Sequence, residues 1–327
     1  MNAFLHRNRM ILLAYVGMLV LLGITALFSP GFLSGSNLRS SLVLAAFVGI
    51  VALGQTFVVI GGGIDLSVPW VLNSAAIMVT VLCGGQDLPL LWAAPVLLAA
   101  GAAIGAVNGI GVALFGVPAI IMTLAVNVIL QGLIIIYTGG VPTPTAPGLI
   151  RFLSVGRLGP LPVIGILWAA LAIAATFLLS KTAFGRYVYA VGSNATVAHF
   201  SGVPTARTTI ATYMLSGLTA ALAGMLLTGY SGQAYLGMGD PYLFTSIAAV
   251  AIGGASILGG SGHYVGTIAG AMVLTILAGL LPALGLSSGA LLIVYGAVIL
   301  VTVSLGSEAL LDASRFVSAL LMRGRQA

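Results

Sequence analysis

"GGGIDLSVPW", Gly61 to Trp70, interrupts an otherwise apolar sequence and holds Asp65, the only acid in the first 86 residues. Apolar runs lie on both sides, roughly at 40–60 and 66–83, each near the length needed to cross a bilayer. Consecutive glycines disfavour helix continuation. The stretch therefore reads as a break between two membrane helices, with Asp65 and Ser67 at the start of the second.

The composition around this break sets the class. Of 327 residues, 60% are hydrophobic and 5% are charged. The mean hydropathy is +1.20. Soluble domains carry about a quarter charged residues, so this chain cannot cover itself with water-facing groups. It is predicted to be an all-α polytopic membrane protein with about ten transmembrane helices, forming one domain over residues 1–327. The continuous apolar runs exclude a porin-like barrel, whose strands alternate polar and apolar residues.

The predicted spans are roughly 10–28, 40–60, 66–83, 90–115, 118–138, 161–180, 208–229, 243–259, 264–284 and 287–305. The run at 243–259 is short and reads as a broken or tilted helix. His6, Arg7 and Arg9 precede the first run in the manner of a signal peptide. That run is long enough to span and no A-x-A site follows it, so a retained anchor is expected.

The net charge of +6 comes from basic residues scattered at loop ends, which points to no nucleic-acid face. Arg7 and Arg9 place the N-terminus in the cytoplasm, and Arg315, Arg323 and Arg325 place the C-terminus there too. Lys181, Arg186 and Arg207 agree in the 181–207 loop, whereas Arg39, Arg151 and Arg157 fall outside.

Two glycine stripes stand out. Gly101, Gly105 and Gly109 repeat every four residues, and so do Gly262, Gly266 and Gly270. Such stripes let helices approach closely, and their similar settings suggest an internal two-fold repeat. The stretch "GGVPTPTAPG", Gly139 to Gly148, cannot continue a helix and reads as an external lid or docking loop.

Catalytic chemistry is missing. Lys181 is the only lysine, and the glycine-rich "LGGSGHYVGT" (258–267) lacks the P-loop lysine. Cys83 is the only cysteine and has no partner for a disulfide or a metal site. His263 beside Ser261 reads as a turn histidine, not as a catalytic base. The interior polar groups are neutral amides: Gln55, Asn73, Asn108, Asn127 and Gln131. Amides can hydrogen-bond a neutral, hydroxyl-rich solute along a pathway, and they can equally tie helices together.

At this point the chain resembles the sugar-type ABC transporter permeases, the membrane subunits of ribose, xylose and arabinose importers. "GGGIDLSVPW" resembles their G-G-I-D-L-S-V-G signature, with Pro69 in place of the last glycine. Five further stretches match in order: "GVPAIIMTLAV" (116–126), "FGRYVYAVGSNATVAHFSGV" (184–203), "YMLSGLTAALAGMLLTG" (213–229), "IAAVAIGGASILGGSGHYVGT" (247–267) and "YGAVIL" (295–300). The chain departs at Gln131, where many members carry a basic residue, and at Leu243 and Thr245, where many carry acids.

The resemblance implies a transport subunit without enzymatic activity, in the bacterial inner membrane. It implies a second permease copy, as homo- or heterodimer. It implies a cytoplasmic ATPase, with tandem nucleotide domains, that binds ATP and Mg for the complex. It also implies a periplasmic solute-binding protein. The translocated solute is then a monosaccharide or a similar neutral polyhydroxylated molecule. A branched-chain amino-acid permease and a stand-alone secondary carrier are the alternatives, and the carrier lacks the buried ionisable chain it would need.

The 181–207 loop resembles the ATPase-coupling segment. Asn194 suits an N-cap, "ATVAHF" a short helix with Ala198 and His199, and Gly202 its end, with Gly192 just before. Asp65 has two readings: a cap on the helix that begins near Leu66, assisted by Ser67, or a gate or ATPase contact.

Overall fold

In the computed structural model, which describes residues 9–139, 145–287, 289–290, 292–297 and 300, the chain is a bundle of apolar helices. These are α1 (Arg9–Phe28), α2 (Gly35–Ile60), α3 (Val68–Cys83), α4 (Leu90–Ala113), α5 (Ala119–Thr138), α6 (Gly148–Val155), α7 (Val163–Lys181), α8 (Ala183–Ser193), α9 (Ala195–Phe200), α10 (Thr205–Ser231), α11 (Tyr242–Ile252) and α12 (Tyr264–Ala283). Two-residue strands, β1 (Arg157–Leu158) and β2 (Leu161–Pro162), pair antiparallel between α6 and α7. The predicted all-α polytopic class is what folds.

Seven of the described helices are long and apolar enough to cross a membrane. Two predicted spans come out shorter than expected. The 66–83 run yields α3 with 16 residues, because Ser67 precedes a helix that starts at Val68-Pro69. The 243–259 run yields α11 with 11 residues. There Gly253-Gly254 ends the helix, Gly254 taking φ 83°, and residues 253–263 run as an irregular loop to α12. The tenth predicted span, 287–305, lies partly outside the described residues; 292–297 are helical.

Burial sorts the helices. α2 is buried without interruption from Ala45 to Ile60, and α10 over most of its length after Tyr213. A helix apolar on all sides belongs in the middle of a membrane bundle. α1 and α5 instead turn large apolar side chains outward, such as Leu19 and Ile136, as lipid-facing helices do. Cys83 is buried at the end of α3.

The first glycine stripe is a helix-packing face; of the second, Gly266 and Gly270 lie on α12, whereas Gly262 falls in the loop before it, at φ 142°. A Cβ on Gly101 would fall 2.6 Å from the Gly217 carbonyl oxygen, and one on Gly109 2.6 Å from Ile210 Cα, so α4 lies backbone-close on α10. Gly266 and Gly270 sit in the same manner against Gly253 and Ala249, drawing α12 onto α11. A third tie is polar. Trp168 Nε1 donates to the Tyr264 hydroxyl at 2.8 Å, and that hydroxyl donates to the Gly49 carbonyl at 2.8 Å, joining α7, α12 and α2.

The two ends of the bundle differ. One gathers α8, α9, the 61–67 break, the 253–263 loop and the start of α1, whose Met10 packs on Gly254. Arg9, Lys181, Arg186 and Arg207 belong to this end. The other end holds α6, the strand pair and the α10–α11 connection, with Arg151 and Arg157. There Asp87 Oδ1 accepts from Leu149 N at 2.7 Å, a carboxylate at the positive end of α6. Of the predicted Gly139–Gly148 loop, residues 140–144 lie outside the described residues.

Candidate functional site

α9 is six residues long, too short to hold itself together in isolation. Its ends are fixed locally. Asn194 Oδ1 accepts from Val197 N at 2.9 Å, and the chain leaves the helix through Gly202 at φ 82°. Of the residues singled out in the sequence, Ala198 is turned inward and is 4% exposed. The outward surface belongs to Val197 and Phe200, three apart on one face, with Phe200 84% exposed. His199 stands edge-on to the Phe200 ring at 5.8 Å.

Directly before α9, Gly192 wedges into the bundle. A Cβ there would fall 2.6 Å from Gly260 N and collide with the Ile60 carbonyl oxygen, leaving no room for a side chain. Gly260 N donates to Ile60 O at 2.9 Å, so the break after α2 is bonded to the loop after α11. Nearby, a Cβ on Gly259 would lie 2.8 Å from Gly62 Cα. Tyr189 of α8 adds a hydrogen bond from its hydroxyl to Gly262 O at 2.7 Å. The short helix is thus joined through α8 to both interruptions of the bundle.

Asp65 is 1% exposed and takes a different role from the predicted cap of α3. Its Oδ1 accepts from Ser67 N at 2.9 Å and from Ser67 Oγ at 2.6 Å. That is a local Asx turn, formed because the carboxylate lies two residues before the amide it reaches. Ser67 Oγ in turn accepts from Asn108 Nδ2 of α4 at 2.8 Å. The amides at the start of α3 are met from the side by α5: Trp70 N donates to Asn127 Oδ1 at 3.3 Å, and Leu66 N to Thr123 Oγ1 at 3.0 Å. Pro69 has no amide hydrogen to satisfy. The second carboxylate oxygen, Oδ2, faces Ser216 of α10 without a well-formed hydrogen bond among the described residues.

The five amides do not converge. Asn108 and Asn127 belong to the Asp65 turn. Asn73, with its amide nitrogen donating to Tyr235 O at 3.0 Å and its oxygen accepting from Gly237 N at 3.1 Å, holds the α10–α11 connection. Gln55 is fully buried in α2, and neither of its polar atoms has a partner among the described residues. Gln131 is half-buried on α5.

Two cavities do have polar character, one at each end. A cavity of about 410 Å³ lies at the α9 end, lined by Gly61 to Gly63, Gly116 to Ala119 and Tyr213. The other, about 280 Å³, lies between α2, α10, α11 and α12 at the α6 end. Its wall includes Tyr230, Tyr235, Tyr242, Thr245 and Tyr295. None of the five amides lines either cavity. Nothing in the spacing of these tyrosines marks them in the sequence, since they come from three separate segments.

Residues 37–303 match the family described as branched-chain amino acid transport system / permease component. The ribose import permease protein RbsC of Escherichia coli (strain K12) is 37% identical over 282 residues, covering 84% of this chain and 86% of its own. RbsC of Bacillus subtilis (strain 168) is 37% identical over 281 residues, covering 84% and 85%. The inner membrane ABC transporter permease protein YjfF of Escherichia coli (strain K12) is 36% identical over 75% of each chain. The chain belongs to the sugar-type ABC transporter permease family. No solved structure matches it. In the permease, the segments 184–203 and 247–267 that carry the family resemblance are the ones that meet around Gly192.

Proposed function

We propose that this permease forms the translocation pathway of an ATP-driven importer for a monosaccharide or a similar neutral polyhydroxylated solute. The observation that carries this reading is the 37% identity with ribose import permeases across 84% of the chain. It works in the bacterial inner membrane with both termini in the cytoplasm. It pairs with a second permease copy, receives solute from a periplasmic binding protein, and couples to a cytoplasmic ATPase that binds ATP and Mg. The permease itself performs no hydrolysis.

The mechanical part of the reading rests on α9. Phe200 and Val197 offer an apolar knob on a capped, rigid turn, suited to a cleft in the ATPase. Closure of the ATPase displaces α9 as a rigid body. Gly192 and Tyr189 carry the displacement into the breaks at 61–67 and 253–263. A stretch that is already non-helical can change its dihedrals without breaking a helical hydrogen-bond ladder, so these breaks are where the bundle yields.

The test is uptake into vesicles holding the permease alone, and holding it with its ATPase and binding protein. Radiolabelled D-ribose and L-leucine serve as probes. Concentrative ribose uptake is expected only in the complete complex with ATP inside reach of the ATPase. Uphill uptake by the permease alone on a proton or sodium gradient overturns the reading, and so does ATP-driven uptake of leucine but not of ribose.

A further inference from the structure

The 280 Å³ cavity at the α6 end is lined by four tyrosines, Ser231, two threonines and apolar side chains. Ligand pockets of drug size begin at about 300 Å³, so this volume suits a smaller molecule. Among the described residues, its wall contains no charged side chain. A zwitterion entering it would find no ion to pair with, whereas a neutral solute leaves no charge uncompensated.

The polar groups that are present are hydroxyls. Tyr230, Tyr235, Tyr242 and Tyr295 each bring one to the wall. Each can donate one hydrogen bond and accept others, which is the capacity a polyol needs. The four tyrosines line one cavity, together with Thr245. Thr245 gives its own hydroxyl hydrogen to the Pro241 carbonyl at 2.6 Å, which leaves its lone pairs free to accept. The Tyr230 ring is held edge-on against Phe47 at 5.5 Å, so it is a placed wall and not a loose side chain.

We infer that this cavity is the site at which the permease first receives the solute, and that Tyr235, Tyr242 and Thr245 select a neutral polyhydroxylated molecule there. The inference rests on the sugar-importer reading for the class of solute. It adds the location and the residues. It also assigns selection to an aromatic pocket on one side of the membrane instead of to the buried amides.

The experiment uses the assembled complex in vesicles. Tyr242→Phe removes one hydroxyl from the wall and keeps the ring. It is expected to raise the ribose concentration for half-maximal uptake about three- to tenfold. Ser231→Cys places a thiol on an exposed part of the wall, whereas the native Cys83 is 3% exposed and serves as a silent background. Modification by a small membrane-impermeant methanethiosulfonate is expected to block uptake. D-ribose should slow the modification several-fold, and L-leucine should not. Because the thiol is modified after assembly, a folding defect cannot imitate the block. If the unmodified complex takes up ribose while modification neither blocks uptake nor is slowed by ribose, the cavity is not the site and the importer reading stands. If the complex takes up leucine, and leucine protects the thiol, the importer reading fails and the assigned solute class fails with it.

Discussion

The Gly260 amide donates to the Ile60 carbonyl at 2.9 Å, across 200 positions of sequence, and binds the two interruptions of the bundle to each other. Gly192 occupies the space beside that bond, where a Cβ would collide with both partners. Three segments that resemble nothing so much as turns in the sequence are one junction in the folded chain. Its fit depends on bare main chain at each member.

Gly192→Ala tests the junction. An added Cβ collides with backbone atoms that no rotamer change can move, so overpacking of about 1–3 kcal/mol is expected. Gly202→Ala is the comparison. Open space surrounds Gly202, and only its φ of 82° resists a side chain, which costs about 1–2 kcal/mol. Thermal unfolding in detergent should fall for both. Uptake by the protein that still folds should be lost only for Gly192→Ala. Equal uptake by the two variants would remove Gly192 from the coupling path.

The outward face of α9 is tested by Phe200→Ser. The ring is 84% exposed, so its loss should change stability by no more than about 0.5 kcal/mol. Co-purification of the ATPase should nevertheless drop at least tenfold, as for a central interface anchor of about 2 kcal/mol or more. Ala198→Asp behaves differently. Ala198 faces the protein interior, so an acid there should unfold the loop before it affects docking. Retention of the ATPase by Phe200→Ser moves the docking surface elsewhere.

Asp65→Asn keeps the Oδ1 acceptor that closes the turn onto Ser67, and most stability and uptake should survive. Asp65→Ala leaves Ser67 N and the Ser67 hydroxyl without their buried acceptor and should cost about 1–3 kcal/mol. A stable, assembled Asn variant with no transport would show that the negative charge itself is required, and that the turn is not the main role.

His263 supplies a pH dependence. Its Nδ1 accepts from Val265 N at 3.2 Å, which requires the neutral ring, and burial holds the imidazole below its ordinary value of 6.5. The folded state therefore binds the proton less readily than the unfolded chain. Stability is present above the unfolded value and is lost as pH falls through the lower folded value. Unfolding temperatures measured from pH 8 to about pH 5 should decline at the acid end through this group, the unfolded pKa being about 6.5. His263→Asn, which keeps a capping acceptor, should flatten that decline. An unchanged slope in the variant assigns it to other groups.

Most of the bundle was legible because the bilayer imposes one rule on every helix. Apolar runs gave α1, α2, α4, α5, α7, α10 and α12. The stripes at Gly101 and Gly266 announced close packing, since only a missing side chain permits it. The failures are local. A hydropathy window reads through Gly253-Gly254 because the residues beyond are still apolar, so α11 appeared longer than it is. Asp65 looked like a helix cap because capping and Asx turns use the same residue at nearly the same place. Their difference is whether Oδ1 reaches the second or a later amide. Asn194 was readable because its cap closes within four residues. The tyrosine cavity was not, since α10, α11 and residue 295 converge only through tertiary packing.

The main-chain contacts of this permease have a consequence for how its sequence can drift. At a lipid-facing position such as Leu19 or Ile136, one oily side chain replaces another with little effect. At Gly101, Gly105, Gly109, Gly192, Gly266 and Gly270, the neighbour is a backbone that every amino acid shares. No second substitution in a partner side chain can restore the fit. Compensating pairs, the ordinary route by which cores diverge, are closed to these sites. A map of tolerated substitutions should therefore show them as isolated invariant points, spaced four apart along α4 and α12, inside helices whose other faces vary freely.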